Sequence, residues 1–419
     1  MKKRIAIIGG GIGGLTAAYL LNPHHDITLF EKEARLGGNA YTHLTKTGET
    51  LDIAVGSVLN RVARNFLKLC DELNVPMVRQ PKASLLSLYD LETQKGVYPT
   101  FLSLQGLIAQ RFSLFKSAPL LMRIPWVNHR AVKLMDQGKL KGLSVEEMFH
   151  LLPPLSNLER FIVMAPFCLL SSMYYKEVLQ GPAEFFVGKM KAHGNFNPFT
   201  TMMGNYFPRN YTESYVRALA SHFQDKVIRG TEIRKVVRNS HGVQIIKAGG
   251  ERMPFDKVVF ACHADQALAL LETPTPDEKR VLGAWRYKEV PMAVHRDDRH
   301  APKRVLCQPW TCIQSPKNGS PHFSISYCTW LLNPALSNKS RYFSTQHANF
   351  PINESLMDCE KTFRVPLYDF QSFEAIPRLP SLNGKLNAYY CGSYFGNGLH
   401  GDAVNAAVAV ARHLGVEWG

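Results

Sequence analysis

The sequence has no long apolar run and no grouped cysteines, and both absences exclude classes of protein. Its nearest candidate for a membrane span, residues 161–175, contains Pro166 and is shorter than the roughly eighteen apolar residues that a spanning helix needs. The eight cysteines form no C-x-x-C pair and no tight cluster, so neither a zinc site nor a small disulfide framework is indicated. We therefore expect reduced thiols, no metal and a cytoplasmic chain.

Acidic residues are few relative to basic ones. The 419 residues include 34 acids against 49 lysines and arginines, which gives a net charge of +15. Such an excess predicts an anionic partner, for which phosphates, nucleic acid and an anionic membrane surface are the candidates. The apolar share of 45% and the charged share of 20% are those of a globular protein, and the length predicts two domains.

The N-terminus has the pattern of a strand, a glycine-rich turn and a helix. Residues 3–8 are typical of a buried strand, and Gly9, Gly11 and Gly14 then occupy the positions of a G-x-G-x-x-G motif. These glycines allow a tight turn, the approach of a pyrophosphate and close packing of helix on strand. The second predicted strand ends at Glu31, where a carboxylate can accept both hydroxyls of an adenosine ribose. The pattern predicts a dinucleotide site.

Two further glycine segments carry a resemblance to a known superfamily. The pair Gly37-Gly38 resembles the extended fingerprint of the FAD-dependent amine oxidases, a superfamily that includes phytoene desaturases and protoporphyrinogen oxidases. There this loop closes over the FAD pyrophosphate, and an arginine often follows where this chain has Asn39. Gly392-Ser393 and the helix expected near Asp402 resemble the superfamily's C-terminal element, whose helix N-terminus faces the pyrimidine edge of the flavin.

The resemblance implies an α/β fold with a discontinuous, Rossmann-like FAD-binding domain of the glutathione-reductase type and an inserted α+β substrate domain. We place the first domain at residues 1–60, 210–265 and 380–419, and the second at 61–209 and 266–379. FAD is expected to be noncovalent, because no cysteine stands where the monoamine oxidases tether their flavin. The implied cofactor-binding residues are Gly9, Gly11, Ile12, Gly13, Gly14, Glu31, Lys32, Arg35, Gly37, Gly38, Asn39, Ile233, Gly392, Ser393, Asp402, Ala403 and Val404.

Residues 261–271 and 274–278 are similar to a bacterial branch of this superfamily. Its members are commonly described only as FAD- or NAD-binding proteins and are often associated with cyclopropane-fatty-acid synthases. The branch implies an oxidoreductase that transfers hydride to flavin from a hydrophobic substrate, a lipid or a fatty acyl chain. His400 and Tyr394 lie on the segment nearest the expected flavin edge and are the candidates for handling protons or contacting substrate.

Two other functions stay open. An amine or amino-acid oxidase is the first, although this chain has Leu399 where the amine-oxidising relatives place an aromatic ring. The second is a membrane-associated scaffold in which FAD has no redox role. The oligomeric state is not indicated.

The segment 95–133 is basic and aromatic, and no acid occurs between Glu92 and Asp136. This combination is typical of a helix that lies in the plane of a membrane. A pair of core helices whose long basic side chains reach water is an equal alternative. No RNA- or DNA-binding motif accompanies the charge, so nucleic acid is not expected as a partner.

Overall fold

The computed structural model describes residues 2–54, 58–59, 62–79, 86–97, 114–194, 205–303, 306–317, 320–332 and 341–418. The strands are β1 Arg4–Ile8, β2 Asp26–Phe30, β3 Thr42–Leu44, β4 Thr50–Asp52, β5 Val58–Leu59, β6 Met77–Arg79, β7 Leu86–Asp90, β8 Lys95–Val97, β9 Asn205–Pro208, β10 Val227–Ile228, β11 Ile233–Asn239, β12 Gly242–Lys247, β13 Arg252–Phe255, β14 Lys257–Phe260, β15 Arg286–His295, β16 Trp310–Lys317, β17 Ser320–Cys328, β18 Phe343–Gln346, β19 Met357–Leu367 and β20 Ala388–Tyr390. The α-helices are α1 Ile12–Leu21, α2 Arg64–Glu72, α3 Leu114–Asp136, α4 Val145–Leu151, α5 Asn157–Ser171, α6 Tyr175–Gln180, α7 Ala183–Ala192, α8 Tyr211–Ser221, α9 Ala264–Leu270, α10 Pro276–Leu282, α11 Thr329–Leu332, α12 Phe370–Ala375 and α13 His400–His413.

A five-stranded parallel sheet forms the centre of the first part of the molecule. Its strand order is β10-β2-β1-β14-β20, so it combines segments from the beginning, middle and end of the chain. The strands are short apolar runs because both faces of the sheet are covered. Ile5 and Ile7 pack with α1, α8 and α13, whereas Ala6 and Ile8 pack toward the three-stranded antiparallel sheet β11-β12-β13.

A seven-stranded sheet of order β19-β15-β18-β17-β16-β7-β8 forms the second part. It is antiparallel except for the parallel pair of β16 and β7. Helices α3 to α7 contribute one apolar layer against it, since the side chains of α5, α7 and β17 belong to the same buried cluster. The predicted fold class, a discontinuous Rossmann-like α/β domain with an α+β insertion, is confirmed.

The described part of segment 95–133 is not uniformly helical, because residues 95–97 form β8 and α3 begins at Leu114. The intervening residues 98–113 lie outside the described residues. None of the helices among the described residues is both long and apolar enough to cross a bilayer.

Candidate dinucleotide groove and apolar chamber

The turns that follow the parallel strands meet at one edge of the central sheet. β1, β2, β14 and β20 run in the same direction, so the residues after their last positions lie side by side. A cavity of about 1280 Å³ begins at this edge and continues beneath α5 and α7. Pockets for a single small ligand are usually about 300–1,000 Å³, so this cavity has room for more than one molecule.

We call the part of the cavity along the strand ends the nucleotide groove. Its lining consists of some of the residues in each of four segments, 8–13, 30–39, 231–234 and 392–403. Of the predicted cofactor-binding residues, Gly14, Asp402 and Val404 do not line the cavity, while all the others do.

The three motif glycines have different surroundings. A Cβ on Gly9, whose φ is +111°, would lie 2.8 Å from the carbonyl oxygen of Ala261, and one on Gly14 would lie 1.9 Å from that of Gly9. These two glycines therefore permit the tight turn and the packing of α1 on β1. A Cβ on Gly11 would meet no atom within 4 Å. Gly11 precedes α1, whose first N–H groups have no acceptor within the helix, so this wall can receive an anion.

Glu31 follows β2 and is 9% exposed. Its Oε2 accepts a hydrogen bond from the Gly10 N–H at 2.7 Å, and its Oε1 accepts one from the Glu33 N–H at 2.9 Å. Each carboxylate oxygen can accept more than one hydrogen bond. The side chain is thus oriented by the backbone and retains acceptor capacity toward the groove, where Lys32 and Ile233 are its neighbours in the lining.

Arg35 holds the second glycine turn. Its guanidinium donates to the carbonyl oxygens of Leu36 and Ala40, both at 3.1 Å, and to that of Gly38. The N–H of Gly37 donates to the carbonyl of Gly10 at 2.8 Å. Arg35 therefore fixes the shape of this part of the groove, and its hydrogen-bonding capacity is largely used by the chain itself.

Asn39 stands where the related superfamily often has an arginine, and its side chain is hydrogen-bonded to this chain's own backbone. Its Nδ2 donates to the carbonyl oxygen of Arg364 at 3.3 Å, which ties the glycine turn to β19. Lys361 and Arg364 line the cavity on the same strand. β19, far away in sequence, thus adds two cations to the lining, of which Arg364 is paired with Asp265 at 2.7 Å.

The C-terminal turn brings α13 against α1. A Cβ on Gly13 would lie 3.6 Å from the carbonyl oxygen of Ala403. Asp402 accepts hydrogen bonds at Oδ2 from the N–H groups of Asn397 at 3.0 Å and Leu399 at 2.9 Å. It caps α13 and orders the preceding turn, while Val404 is fully buried in the core.

The two predicted catalytic residues differ in their surroundings. The Nε2 atom of His400 lies 2.8 Å from the Tyr215 hydroxyl, and burial lowers the pKa of His400 to about 4. The imidazole is therefore neutral at pH 7. Tyr394 is buried against Trp285, with ring centroids 5.5 Å apart. Its hydroxyl has no hydrogen-bond partner among the described residues, and an acceptor on a bound ligand would relieve that deficit.

Lys189 on α7 stands where the groove meets the second half of the cavity. It is 3% exposed, and its Nζ donates to the carbonyl oxygens of Leu170 at 2.7 Å and Asn397 at 2.6 Å. Burial lowers the pKa of Lys189 to about 7, while the nearby Asp402 opposes that shift. The ammonium group has three donors, so one remains for a ligand.

We call the second half of the cavity the apolar chamber. The seven-stranded sheet contributes Leu86, Val290, Met292, Trp310, Tyr327 and Gln346 to its lining. The helices contribute Asn128, Ile162, Val163, Phe167, Leu170 and Met190. The sheet residues extend over β15, β18, β17, β16 and β7, so the chamber crosses four strand spacings, about 19 Å at 4.8 Å each.

Comparisons with known proteins agree with this architecture. A family model described as an NAD(P)-binding Rossmann-like domain matches residues 7–73. A coproporphyrinogen III oxidase of Staphylococcus aureus (strain NCTC 8325 / PS 47) is 41% identical over 64 residues, which are 15% of this chain and 14% of that protein. The match therefore spans about one seventh of the relative's length.

Solved structures resemble the whole chain. A triple mutant of putrescine oxidase with redesigned cofactor binding has a TM-score of 0.65 at 12% identity, covering 99% of this chain and 98% of its own. A fatty acid isomerase from P. acnes that produces CLA has a TM-score of 0.63 at 14% identity, covering 98% of both chains. These likenesses establish the fold, a mixed α/β architecture with a Rossmann-like domain.

Sequence reasoning missed Lys189, Gln346 and the cations of β19. Lys189 lies in an apolar helix, where a lysine usually extends to water. Gln346 is 2% exposed, and its Nε2 has no partner among the residues that the structure describes. No local signal distinguishes these side chains from ordinary polar residues, because strands and helices distant in sequence assemble their surroundings.

Proposed function

We propose that this chain binds FAD noncovalently in the nucleotide groove and is an FAD-dependent oxidoreductase that acts on a hydrophobic, extended substrate, a lipid or fatty acyl chain, in the apolar chamber. The observation that carries this proposal is the continuity of the two parts. A groove with the features of a dinucleotide site opens at Lys189 into a chamber of predominantly apolar side chains.

The groove residues fit FAD. Gly11 and the N-terminus of α1 would hold the pyrophosphate, Glu31 the adenosine ribose, and Ile233 the adenine end. Ser393, and Ala403 in the first turn of α13, line the cavity as well. The helix dipole of α13 adds positive potential there. The ten residues of α1 and the fourteen of α13 are long enough for both dipoles to act at the groove.

Bound FAD would supply the acceptor for hydride from a substrate C–H bond. The chain's residues then have to orient that bond, exclude water and fix the ring environment. Lys189 holds the turn before α13 through the carbonyl of Asn397 and presents a further N–H at the junction. Tyr394 offers a hydroxyl that has no partner within the described ranges, whereas the neutral imidazole of His400 is hydrogen-bonded to Tyr215.

The size and lining of the chamber support an extended apolar substrate. Its width of about 19 Å across five strands suits a long chain better than a compact amine. Lys189 and His193 are the titratable groups on the helices that line it, and burial lowers the pKa of His193 to about 4. The protonated form of Lys189 would repel a protonated amine. No carboxylate of α5 or α7 lines the chamber among the described residues to offset that repulsion, which argues against amine oxidation. The open connection between groove and chamber argues against a purely structural flavin.

An absorption spectrum of the purified protein, taken before and after acid precipitation, tests the cofactor. Flavin released into the supernatant is the expected result, and a protein that is colourless and cannot be reconstituted with FAD would refute the proposal. Anaerobic mixing with fatty acids, phospholipids and a panel of amines then tests the substrate. Bleaching of the flavin by acyl lipids alone is expected, while bleaching by amines alone would replace our proposal by amine oxidation.

A further inference from the structure

Three large apolar side chains are exposed on α3, α4 and α5, and α3 and α5 also line the chamber. Trp126 on α3 is 53% exposed, Leu151 at the end of α4 is 44% exposed, and Leu158 on α5 is 41% exposed. Single exposed apolar side chains are common on soluble proteins, but these three belong to one helical layer. We call Trp126, Leu151 and Leu158 the docking patch.

Arg123 joins the elements that carry the docking patch. Its Nε lies 2.6 Å from Oε1 of Glu159, and its Nη2 donates to the carbonyl of Pro154 at 2.6 Å. The N-terminal half of α3 therefore rests on the connection between α4 and α5. Trp126 is one turn after Arg123, while Leu158 directly precedes Glu159.

Basic side chains flank Trp126 on the α3 side of the docking patch. Arg123, Arg130 and Lys133 are exposed at positions i, i+7 and i+10 of α3, with Trp126 at i+3, so all four lie on one face of the helix. Residues 123–141 contain five lysines and arginines and one acid, Asp136, which is paired with Lys191 at 2.7 Å. The helices that carry Leu151 and Leu158 add three acids, Glu146, Glu147 and Glu159, and Glu159 is paired with Arg123. The excess of positive charge therefore lies on the α3 side of the patch.

This combination fits a bilayer better than a protein partner. Tryptophan and leucine flanked by arginine and lysine are typical of surfaces that enter the headgroup region of anionic lipid. Interfaces between proteins also use tryptophan and arginine but are depleted of lysine, so the exposed Lys133, Lys139 and Lys141 favour the bilayer. The basic and apolar residues of the patch together favour binding to an anionic membrane surface.

The chamber reaches the same helices from the inside. Asn128, two residues after Trp126, lines the chamber, as do Ile162 and Val163 on α5. We propose that the docking patch binds the surface of an anionic bilayer and so places the outer end of the apolar chamber next to the lipid. The consequence for substrate, which rests on the proposed function, is that an apolar molecule exchanges between bilayer and chamber without crossing bulk water.

Sedimentation of the holoprotein with vesicles tests docking without reference to catalysis. We expect binding to vesicles of phosphatidylcholine with phosphatidylglycerol, weaker binding to phosphatidylcholine alone, and loss of the difference at high salt. R130Q/K133Q should lower the partition coefficient roughly 30-fold, since each basic residue contributes about fivefold near anionic lipid. The matched control R229Q/K279Q removes two exposed cations elsewhere and should bind as the parent does.

Apolar contacts are tested by L151S/L158S against L44S/L386S, which alters two leucines outside the patch that are similarly or more exposed. The first pair should lose at least tenfold in partition and the control pair should not. Lipids brominated in the acyl chain should quench the fluorescence of Trp126, and that quenching should disappear in W126F. Absence of vesicle binding by the parent, or equal loss in patch and control variants, would overturn docking.

Flavin content, measured in the same samples, separates the two proposals. A protein that binds vesicles but contains no flavin would contradict the proposed function and leave docking intact. A protein that contains flavin but does not bind anionic vesicles would contradict docking and leave the proposed function intact.

Discussion

The Gly11→Ala variant tests the proposed position of the pyrophosphate with little effect on the fold. Gly11 has φ −72° and ψ 178°, a conformation that alanine adopts without strain. The new Cβ would meet no protein atom within 4 Å. It would, however, stand on the wall of the groove at the N-terminus of α1, where a phosphate must approach the backbone closely.

The expected loss of FAD affinity follows from the contacts that the methyl group would displace. A hydrogen bond to a charged group contributes about 1.5–3 kcal/mol. Losing one such contact weakens binding about tenfold to 100-fold. The free energy of unfolding of the FAD-free protein should change by less than about 0.5 kcal/mol, as for surface substitutions generally.

Two other glycines provide controls for this substitution. A Cβ on Gly249 also meets no atom within 4 Å, but this glycine does not line the cavity, so Gly249→Ala should bind FAD like the parent. A Cβ on Gly14 would lie 1.9 Å from the carbonyl oxygen of Gly9. Gly14→Ala should therefore destabilise the fold itself by about 1–3 kcal/mol or more.

Titration of the FAD-free proteins by quenching of flavin fluorescence, together with urea unfolding, measures both effects. Gly11→Ala should separate affinity from stability, and Gly14→Ala should lower both. If Gly11→Ala bound FAD within twofold of Gly249→Ala, the pyrophosphate would not lie on this turn and our assignment of the groove would be wrong.

Two further predictions concern buried charges. Glu278 accepts hydrogen bonds from Arg238 at 2.7 and 2.8 Å and from the Tyr390 hydroxyl at 2.5 Å, so Glu278→Gln should lower the free energy of unfolding at pH 7 by about 3–5 kcal/mol. These contacts lower the pKa of Glu278 from 4.5 to about 2. The contribution of Glu278 to the free energy of unfolding is therefore complete above pH 4.5 and is lost as the pH falls toward 2. If the free energies of unfolding of parent and variant fell in parallel on acidification, this reasoning would be refuted. Lys189→Met should slow anaerobic flavin reduction at least tenfold with flavin content unchanged, and an undiminished rate would exclude Lys189 from the reaction. Burial lowers the pKa of Lys189 from 10.5 to about 7, so between these two pH values the unfolded chain binds more protons than the folded chain. The free energy of unfolding of the parent should therefore rise with pH through this window, and that contribution should be missing in Lys189→Met.

The nucleotide groove was predictable because its residues directly follow strands that the sequence marks clearly. Apolar runs end at Ile8 and Phe30, and glycine or glutamate comes next. Parallel strands place all such positions at one edge of the sheet, so the neighbours of each turn follow from topology. Asp402 shows the limit of this reasoning. An acid at the third position of a helix is also the signal for a helix cap, and capping is what its hydrogen bonds perform.

No comparable rule locates the chamber, and Lys189 illustrates why. Its helix is apolar on most sides, since Phe185, Phe186 and Met190 are buried as well. The sequence therefore does not indicate which face of this helix is buried, nor that Lys189 lies on it. The ammonium is buried because the turn before α13 supplies the carbonyl of Asn397, 208 residues further along the chain. Lys189 contacts the carbonyl oxygens of Leu170 on α5 and of Asn397 before α13, so it bridges the two halves of the cavity. Binding in the chamber that displaces Lys189 should therefore disturb the turn that borders the groove.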